Sequence, residues 1–505
     1  MEIDHPIDDP SLPSYRHPTL SAIWGDLQRA FDAYVCLRGE GVKKRYLPAE
    51  TEEPPDAYAA RLERAVFADF FRDSIHAFAG VLSNFNLKNP PATLEATLSN
   101  VDRKGNSFKA WWIEADSLML RDGGTGIQVE MPPNDSRNNA EVIANGILPY
   151  LVRRERSKIT NWRFSDEDGE LEWVTFLEVE PENKGTYGVE MKPRYRMVGR
   201  GFQQVLVLER NESTGKFTAV PEGPEVPILM ANKQPMPRVP VVWYPADEAD
   251  FGEGEQPLRQ VVEHSISHFR KSSDLEEKTH KCAMPVPVVT GATPGDTSKP
   301  AQKVAIGPNS IIYLEQGGTF TFAEPSGSSL KEQREQIADT ERLIAKQTLG
   351  FLYGDPGGAK TATQAGMEGA QTESGITRTA ERKASAAQEV MAIWCLFTGE
   401  ELDPEAGLTM SASIFERPME AADVAQLQSL AGGVELISQR SAVEELIRRG
   451  KNQAVSSVEE ELERLAAEVP PPAEDVGTND LGGLPPAEPM EMPEDDTPDD
   501  DELET

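Results

Sequence analysis

The stretch Leu349–Gly369 reads LGFLYGDPGGAKTATQAGMEG and joins two long helical patterns. Residues Ser328–Thr348 precede it, and a proline-free run from Thr361 to Thr398 follows it. Glycines and a proline interrupt helical structure between the two patterns, at Gly350, Gly354, Pro356, Gly357 and Gly358. The stretch therefore predicts either a nucleotide-binding loop or a loop suspended between two helices, and the two interpretations describe different proteins.

The nucleotide interpretation depends on a phosphate-binding loop of the form Gly-x4-Gly-Lys-Ser/Thr, in which backbone N–H groups surround the phosphates. Residues Gly354–Thr361 read GDPGGAKT, so Lys360 and Thr361 fit while Ala359 occupies the second glycine position. The alanine Cβ disfavours the positive φ that such a loop commonly needs. A strand should lead into this loop, but apolar residues seven apart predict a helix there. The nucleotide site is therefore the weaker interpretation.

Composition limits the class of protein. The chain has 505 residues and a net charge of −35, which predicts several domains and a large core. Residues Val469–Thr505 contain 13 acids, eight prolines and no base, so we expect this tail to be disordered. The remainder of the chain is also net negative. This charge disfavours a protein that binds nucleic acid tightly, but it is compatible with a protein that lets DNA slide past.

Cysteine content and the absence of long apolar runs predict a soluble intracellular product. Cys36, Cys282 and Cys395 are far apart, which fits a reducing compartment without a disulfide framework. The acidic, proline-rich start does not resemble a signal peptide. No run approaches the roughly 18 consecutive apolar residues of a membrane span, so no membrane partner is expected.

Periodicity divides the chain into helical and strand-rich parts. We predict helices over Ser21–Leu37, Asp56–Leu82, Asn106–Leu120, Leu258–Met284, Ser329–Thr348, Thr361–Thr398, Ala421–Leu430, Ser441–Arg449 and Val458–Ala467. We predict strands over Gly126–Glu130, Trp173–Glu180, Arg194–Val198, Phe202–Arg210, Lys216–Val220, Val239–Pro245, Val286–Thr290, Val304–Ile306, Ser310–Leu314, Thr319–Ala323 and Leu408–Phe415. The pattern indicates an α+β protein.

Two of these helices are difficult to explain in a monomer. Leu258–Met284 and Ser329–Thr348 carry narrow apolar stripes, and the segment between them is too small to form a domain alone. We therefore expect their stripes to be covered by neighbouring copies in a ring.

No residue pattern favours catalysis or a cofactor. His264 and His268 are four apart on one predicted helix, but Ser265 stands where a zinc protease needs glutamate, so we expect no metal. The cysteines lack the basic neighbours of a nucleophile, and Gly-x-Ser-x-Gly is absent. Trp111 and Trp112 are predicted to lie in the core. The protein is therefore predicted not to be an enzyme.

Several local stretches, in their order, resemble tailed-phage portal proteins, the ring-shaped head–tail connectors. The resemblance covers about Ser21–Glu468. The stretches that carry it are Tyr58–Phe67 (YAARLERAVF), Gly124–Pro132 (GTGIQVEMP), Leu148–Val152 (LPYLV), Ile159–Arg163 (ITNWR), His268–Asp274 (HFRKSSD) and Lys360–Ala365 (KTATQA). Their order over more than 300 residues makes the resemblance much stronger than any one of them.

The resemblance implies a portal-type α+β fold with an α/β wing, a two-helix stem, a small β-containing clip, a long spine helix and a helical C-terminal crown. The regions this implies are an arm and wing at 1–257, stem helices at 258–284 and 328–348, a clip at 285–327, a tunnel loop at 349–360, a wing spine helix and strand at 361–417, a crown at 418–468 and the disordered acidic tail at 469–505.

The resemblance also implies a function. Such a protein forms a dodecameric ring at one capsid vertex of the virion, assembled in the host cytoplasm, through which double-stranded DNA is packaged and ejected. Its partners would be the terminase large subunit, a head–tail adaptor, and the major capsid or scaffolding protein. The DNA-facing residues of the tunnel loop would be Phe351, Tyr353, Gly354, Gly357, Gly358 and Lys360. The alternatives are a divergent P-loop-like nucleotide hydrolase that uses Lys360 and Thr361, or a non-portal phage scaffold.

Overall fold

The computed structural model describes residues 5–132, 147–247, 249–282, 286–290, 319–323, 328–348, 362–410 and 463–464. The chain divides into two compact units, Met1–Phe415 and Glu416–Thr505, and every helix and strand numbered below lies in the first. That unit is a mixed α and β structure, as the sequence predicts. No helix among the described residues is both long enough and apolar enough to cross a bilayer.

Along the sequence, most helices of the first unit lie before or after its strand-rich middle part. The helices are α1 (Pro18–Tyr34), α2 (Glu40–Tyr46), α3 (Pro55–Arg64), α4 (Phe70–Leu82), α5 (Ala92–Glu95), α6 (Phe108–Asp122), α7 (Arg259–Cys282), α8 (Ser328–Gln347) and α9 (Ala362–Thr398). The predictions for α1, α6, α7, α8 and α9 are confirmed to within a few residues at each end.

Within the described residues, the strands form four antiparallel sheets. They are β1 (Phe85–Lys88), β2 (Gly124–Glu130), β3 (Tyr150–Glu155), β4 (Ile159–Phe164), β5 (Leu171–Lys184), β6 (Gly188–Gly199), β7 (Phe202–Arg210), β8 (Phe217–Pro221), β9 (Val226–Pro227), β10 (Val241–Pro245), β11 (Val286–Thr290), β12 (Thr319–Ala323) and β13 (Gly407–Met410). The sheet orders are β1-β13, β10-β2-β3, β11-β12 and β4-β5-β6-β7-β8, with β9 paired to β7.

The core of the first unit is built around α6. Trp111 and Trp112 are 1% and 0% exposed, which confirms that they lie in the core rather than on a stacking surface. The Ser107 hydroxyl accepts a hydrogen bond from the Ala110 N–H and caps the start of the helix. Gly123 ends it with a φ of +81°, and a Cβ there would lie 2.9 Å from the Glu255 backbone. The helix is therefore fixed at both ends by local sequence.

The single helix predicted over Asp56–Leu82 is wrong, because α3 ends at Arg64 and α4 begins at Phe70. Lys43 lies on α2, which the sequence did not predict, and its Nζ donates to the carbonyl oxygens of Leu62 (3.4 Å) and Ala65 (2.8 Å). These bonds satisfy carbonyls that a continuing helix would have used. The break turns Phe67 into the core, where its ring lies 5.8 Å from that of Phe269.

Several strands depart from prediction. β1, β3, β4 and β9 were not predicted, and β5 and β6 extend well beyond the predicted ranges. The predicted strands at 304–306 and 310–314, the helices at 421–430 and 441–449, and most of the helix at 458–467 lie outside the described residues.

Candidate functional site

α7 and α8 form an antiparallel helix pair, which we call the arm. Polar side chains join the two helices along their length. The Gln347 amide donates to the Gln260 amide oxygen at 3.2 Å, the His268 Nε2 lies 3.0 Å from a Glu341 oxygen, and the Lys271 Nζ donates to the Thr340 hydroxyl at 2.8 Å. Because residue numbers rise on α7 as they fall on α8, these contacts fix the antiparallel register.

The first half of α7 is rooted in the body of the first unit. Val261 and Phe269 are fully buried, and Ile266 is 4% exposed. The Arg270 guanidinium donates to the Tyr46 carbonyl oxygen at 2.8 Å, and Arg259 pairs with Asp26 of α1 at 3.2 Å. α7 is therefore held by both apolar packing and ionic contacts.

This burial corrects the expectation that neighbouring copies must cover the apolar stripes of both helices. The stripe on α7 packs within its own chain, because α1, α3 and α4 cover it. α8 fits the expectation better. Thr340 and Ile344 are buried against α7, but Leu343 is 45% exposed and most other α8 residues are exposed.

Two strands lie between α7 and α8 in the sequence. β11 begins just after α7 and β12 ends just before α8, and the two pair antiparallel from Val286↔Ala323 to Thr290↔Thr319. The pair Val286↔Ala323 is therefore the end of this small sheet that is nearest to both helices in the sequence.

At the root of the arm lies a cavity of about 780 Å³. Leu258 and Gln260 line it from the start of α7, Gln347 from the end of α8, and Ile376 and Thr379 from α9. Residues 349–361 connect α8 to α9, so both helices that flank this connection contribute to one cavity. The predicted site residues Phe351, Tyr353, Gly354, Gly357, Gly358 and Lys360, and the alternative residue Thr361, lie outside the described residues.

A buried ion pair anchors α9 to the body. The Lys383 Nζ donates to Asp116 of α6 at 2.7 Å and to the Leu82 carbonyl oxygen at 2.8 Å. The Tyr244 hydroxyl donates to the other Asp116 oxygen at 2.9 Å. The ammonium also lies 4.2 Å from the centre of the Phe85 ring, a cation–π distance. α4, α6, α9 and β10 therefore meet at one polar cluster.

Burial dominates the electrostatics of this pair. It raises the pKa of the Asp116 carboxyl to about 6, although Lys383 and Tyr244 lower it. It lowers the pKa of Lys383, although Asp116 raises it. Each shift reflects the cost of burying one charge, so each group depends on the other for compensation.

Sequence reasoning missed this cluster, although a signal was present. Ala380, Lys383, Ala387, Val390 and Trp394 are three or four residues apart, and all of them are buried. A lysine on such an apolar stripe predicts a buried acidic partner. Its partner Asp116 is 267 positions away, and no local pattern identifies it.

In the described part of the chain, the side chains of His268, Cys36 and Cys395 have surroundings that suit a structural role. His268 packs edge-to-face on Phe70 and contacts Glu341, and no cluster of three metal-ligating residues occurs among the described residues. Burial raises the pKa of the Cys36 and Cys395 thiols to about 11, which suppresses the nucleophilic thiolate. The arrangement is suited to holding helices in fixed positions.

Comparison with known proteins gives three results. A family described as a domain of unknown function, DUF4055, matches residues 257–398, which run from the start of the arm to the end of α9. No curated protein matches. Solved structures of gene transfer agent particles are similar to this chain over most of its length.

One of these is the neck of an empty gene transfer agent (GTA) particle computed with C6 symmetry, at 15% identity and a TM-score of 0.42, covering 82% of this chain and 99% of that chain. Another is the virion of the native particle, at 14% identity and 0.41, covering 83% and 99%. A third is the native neck computed with C12 symmetry, at 14% identity and 0.40, covering 82% and 99%.

Proposed function

We propose that this chain is the subunit of a phage portal, a dodecameric ring at one capsid vertex through which DNA is packaged and ejected. In this proposal residues 1–257 form the N-terminal arm and wing, α7 and α8 the stem, 285–327 the clip, 349–360 the tunnel loop, 361–417 the spine helix and strand, and 418–468 the crown. The ring would dock a terminase motor and a head–tail adaptor. It would also contact the major capsid or scaffolding protein.

One observation carries the proposal: the start of α7, the end of α8 and the helix α9 line one cavity. An antiparallel helix pair with two paired strands between its helices in the sequence, followed by a short connection and a long helix, is the order of stem, clip, stem, tunnel loop and spine. The Lys383–Asp116 pair fixes α9 in the body. Any force on residues 349–361 would therefore be transmitted to a helix that a buried ion pair anchors.

The tunnel loop is proposed to contact DNA without reading its sequence. Phe351 and Tyr353 would offer apolar surface, the glycines would let the backbone yield, and Lys360 would be the single cation of the loop. Contacts to phosphates carry no base information. The net charge of −35 supports a channel that repels DNA and lets it slide.

The nucleotide hydrolase is not favoured, because helix α8 rather than a strand precedes the loop and Ala359 replaces the second glycine. Calorimetry with ATP and magnesium tests this directly. We expect no binding at micromolar concentrations. Binding that is lost in Lys360→Ala would instead support the hydrolase.

The ring is tested by sedimentation and negative-stain imaging of the full chain. We expect particles many times larger than the 55.5 kDa chain, with a central hole. A folded monomer that persists across salt and concentration would contradict the portal and leave a non-portal scaffold as the better proposal.

The tunnel loop has a separate test. Residues 351–358 are replaced with a Gly-Ser linker of equal length, and the exposed β7–β8 connection at 211–215 is replaced in a matched control. We expect both variants to form rings, and only the first to impair packaging or retention of DNA. Normal filling of particles by the first variant would overturn the tunnel assignment while leaving the ring proposal intact.

A further inference from the structure

Residues 5–17, which we call the N-terminal segment, lie against the sheet that contains β4 to β8. The Thr160 hydroxyl of β4 donates to the Pro13 carbonyl oxygen at 3.0 Å, and the His17 N–H donates to the Thr160 carbonyl oxygen at 2.9 Å. At the other end of the segment, the His5 Nδ1 lies 2.9 Å from the Tyr195 hydroxyl oxygen of β6. A histidine therefore stands at each end of the docked segment.

His17 also marks the start of helix α1. Its Nδ1 accepts a hydrogen bond from the Thr19 N–H at 3.3 Å, which makes the imidazole the N-cap of the helix. Since a backbone N–H can only donate, Nδ1 holds a lone pair here and the proton of the neutral ring lies on Nε2. The usual capping side chains of serine, threonine, asparagine and aspartate keep their charge between about pH 5 and 8, whereas histidine does not. The cap of α1 therefore depends on a neutral imidazole.

The His17 ring is held in this position by a closely packed indole. It stacks on Trp162 with the ring centroids 3.9 Å apart and the planes inclined by 22°. Trp162 is 5% exposed, and a Cβ on Gly252, whose φ is +80°, would lie 2.3 Å from the indole ring. The backbone at position 252 can approach the indole so closely because glycine has no side chain. The surface on which the imidazole stacks is therefore fixed, and it carries no charge.

The charged groups near His17 act in opposite directions. Burial lowers the pKa of its imidazole, and the Glu253 carboxylate raises it by less, so the net pKa lies below the ordinary value of histidine. The start of α1 presents the partial positive charge of a helix N-terminus. The neighbouring Arg16 guanidinium lies 3.5 Å from the centre of the Trp24 ring, and Asp8 faces it. The surroundings of His17 therefore favour its neutral form.

Protonation of His17 would remove the cap. A proton on Nδ1 turns the acceptor into a donor, so two N–H groups would face each other at the Thr19 contact. The added charge would also lie at the positive end of α1, which is unfavourable. Stacking of an imidazolium on Trp162 is attractive in itself. The net lowering of the pKa nevertheless indicates that His17 in the docked segment binds a proton less well than a free histidine does.

We propose that His17 is a pH-sensitive switch: its protonation removes the N-cap of α1 and loosens the N-terminal segment from the sheet. A histidine whose pKa is lower in the docked state stabilises docking at high pH. That contribution is lost as the pH falls below the ordinary histidine pKa of about 6.5. Loosening would expose the side chains of Leu12 and Tyr195, which are 6% and 2% exposed in the docked state. The switch acts within one chain, so it does not depend on the proposed ring.

Hydrogen exchange of the full chain between about pH 7.5 and pH 5 tests the switch. The exchange rates are corrected for the intrinsic effect of pH, and residues 124–130 of β2 serve as an internal reference. We expect the protection of the amides in residues 12–21 to fall about fivefold in the wild type, the factor that an N-cap of ordinary strength contributes. The protection of β2 should not change.

Two histidine variants assign the change to one residue. His17→Asn keeps a capping side chain that does not titrate, so its protection should stay constant with pH. His76→Asn removes an exposed histidine elsewhere in the chain and should behave as the wild type does. Constant protection in the wild type would overturn the proposal, and so would an equal loss in the wild type and in His17→Asn.

Asparagine lacks the ring that stacks on Trp162, so a further variant leaves His17 itself unchanged. Glu253→Gln removes the carboxylate that raises the pKa of His17, and it keeps the backbone carbonyl that accepts from the Trp243 indole N–H at 2.9 Å. We expect the midpoint of the loss of protection to move to lower pH. A midpoint that stays at the wild-type pH would show that His17 is not the group that titrates, and the proposal would be wrong.

Discussion

Lys383 and Asp116 form an ion pair at 2.7 Å in which neither side chain is exposed to solvent. Two charges buried together are costly to separate, since removal of one leaves the other unpaired in a low-dielectric interior. Because the pair joins α9 to α6, it anchors the helix that follows the connection at residues 349–361.

The pair predicts strong coupling between two substitutions. Lys383→Met should cost about 3–5 kcal/mol of unfolding free energy, because Asp116 is left buried without its cation. Asp116→Asn should also destabilise, and the double variant should lose clearly less than the sum of the two. Urea unfolding at pH 7, followed by tryptophan fluorescence, measures all four proteins. Additive losses would show that the two groups do not stabilise each other.

The Glu178 carboxylate predicts a pH dependence at the sheet junction. Burial by itself raises the pKa of Glu178, but the Arg154 and Arg196 guanidiniums lower it by more, so the net pKa lies below its ordinary value. A carboxyl whose pKa is lower in the folded state stabilises the fold above its unfolded pKa and loses that contribution as the pH falls through the folded value. Glu178→Gln should therefore be less stable than the wild type at pH 7, by about 2 kcal/mol.

The difference between Glu178→Gln and the wild type should close as the pH falls below the ordinary pKa of a glutamate, about 4.3. Thermal unfolding from pH 7 down through acidic pH, with the exposed Glu209→Gln as control, checks the prediction. A difference that stays constant with pH would contradict it.

The buried position of Phe269 predicts how much unfolding free energy is lost when α7 packs less well against the body. Its side chain is fully buried and packs edge-to-face on Phe67. Phe269→Ala should lower the unfolding free energy by about 3–5 kcal/mol, through lost transfer energy and the cavity left behind. Chemical denaturation measures the loss, and Phe269→Leu, which keeps most of the volume, should lose much less.

The exposed position of Leu343 predicts that its substitution changes assembly but not the stability of the fold. It is 45% exposed on α8, next to the buried Ile344. Leu343→Glu should leave the unfolding free energy within about 0.5 kcal/mol of the wild type, as exposed substitutions do. It should weaken the ring if α8 faces a neighbouring subunit. Sedimentation and thermal unfolding of the same preparation separate the two effects. A loss of thermal stability without a loss of assembly would contradict the prediction.

Deletion of residues 469–505 should leave both fold and ring intact. The segment has 13 acids, eight prolines and no base, so it offers little surface to bury. We expect the melting temperature to change by less than about 5 °C. A larger drop would indicate that the tail is docked.

Elements whose signals are local could be predicted from the sequence. The apolar period gave α7, α8 and α9, and Ser107 and Gly123 bounded α6, because helix periodicity and capping depend on residues within a few positions of each other. Phe202–Arg210 was predicted with its observed bounds, since strand alternation and the following turn residues are equally local. The portal resemblance rests instead on local stretches such as Gly124–Pro132 and Lys360–Ala365 and on their order.

Contacts between residues that are far apart in the chain could be identified only in the folded structure. The break after Arg64 depends on Lys43 donating to carbonyl oxygens of another helix, and the placement of α9 depends on an aspartate 267 positions away. The apolar stripe of α7 looks unpartnered in the sequence, yet α1, α3 and α4 of the same chain cover it, while Val189 and Met191 of β6 are left exposed. Periodicity specifies that a face is apolar, but what covers that face depends on contacts that only the folded chain brings together.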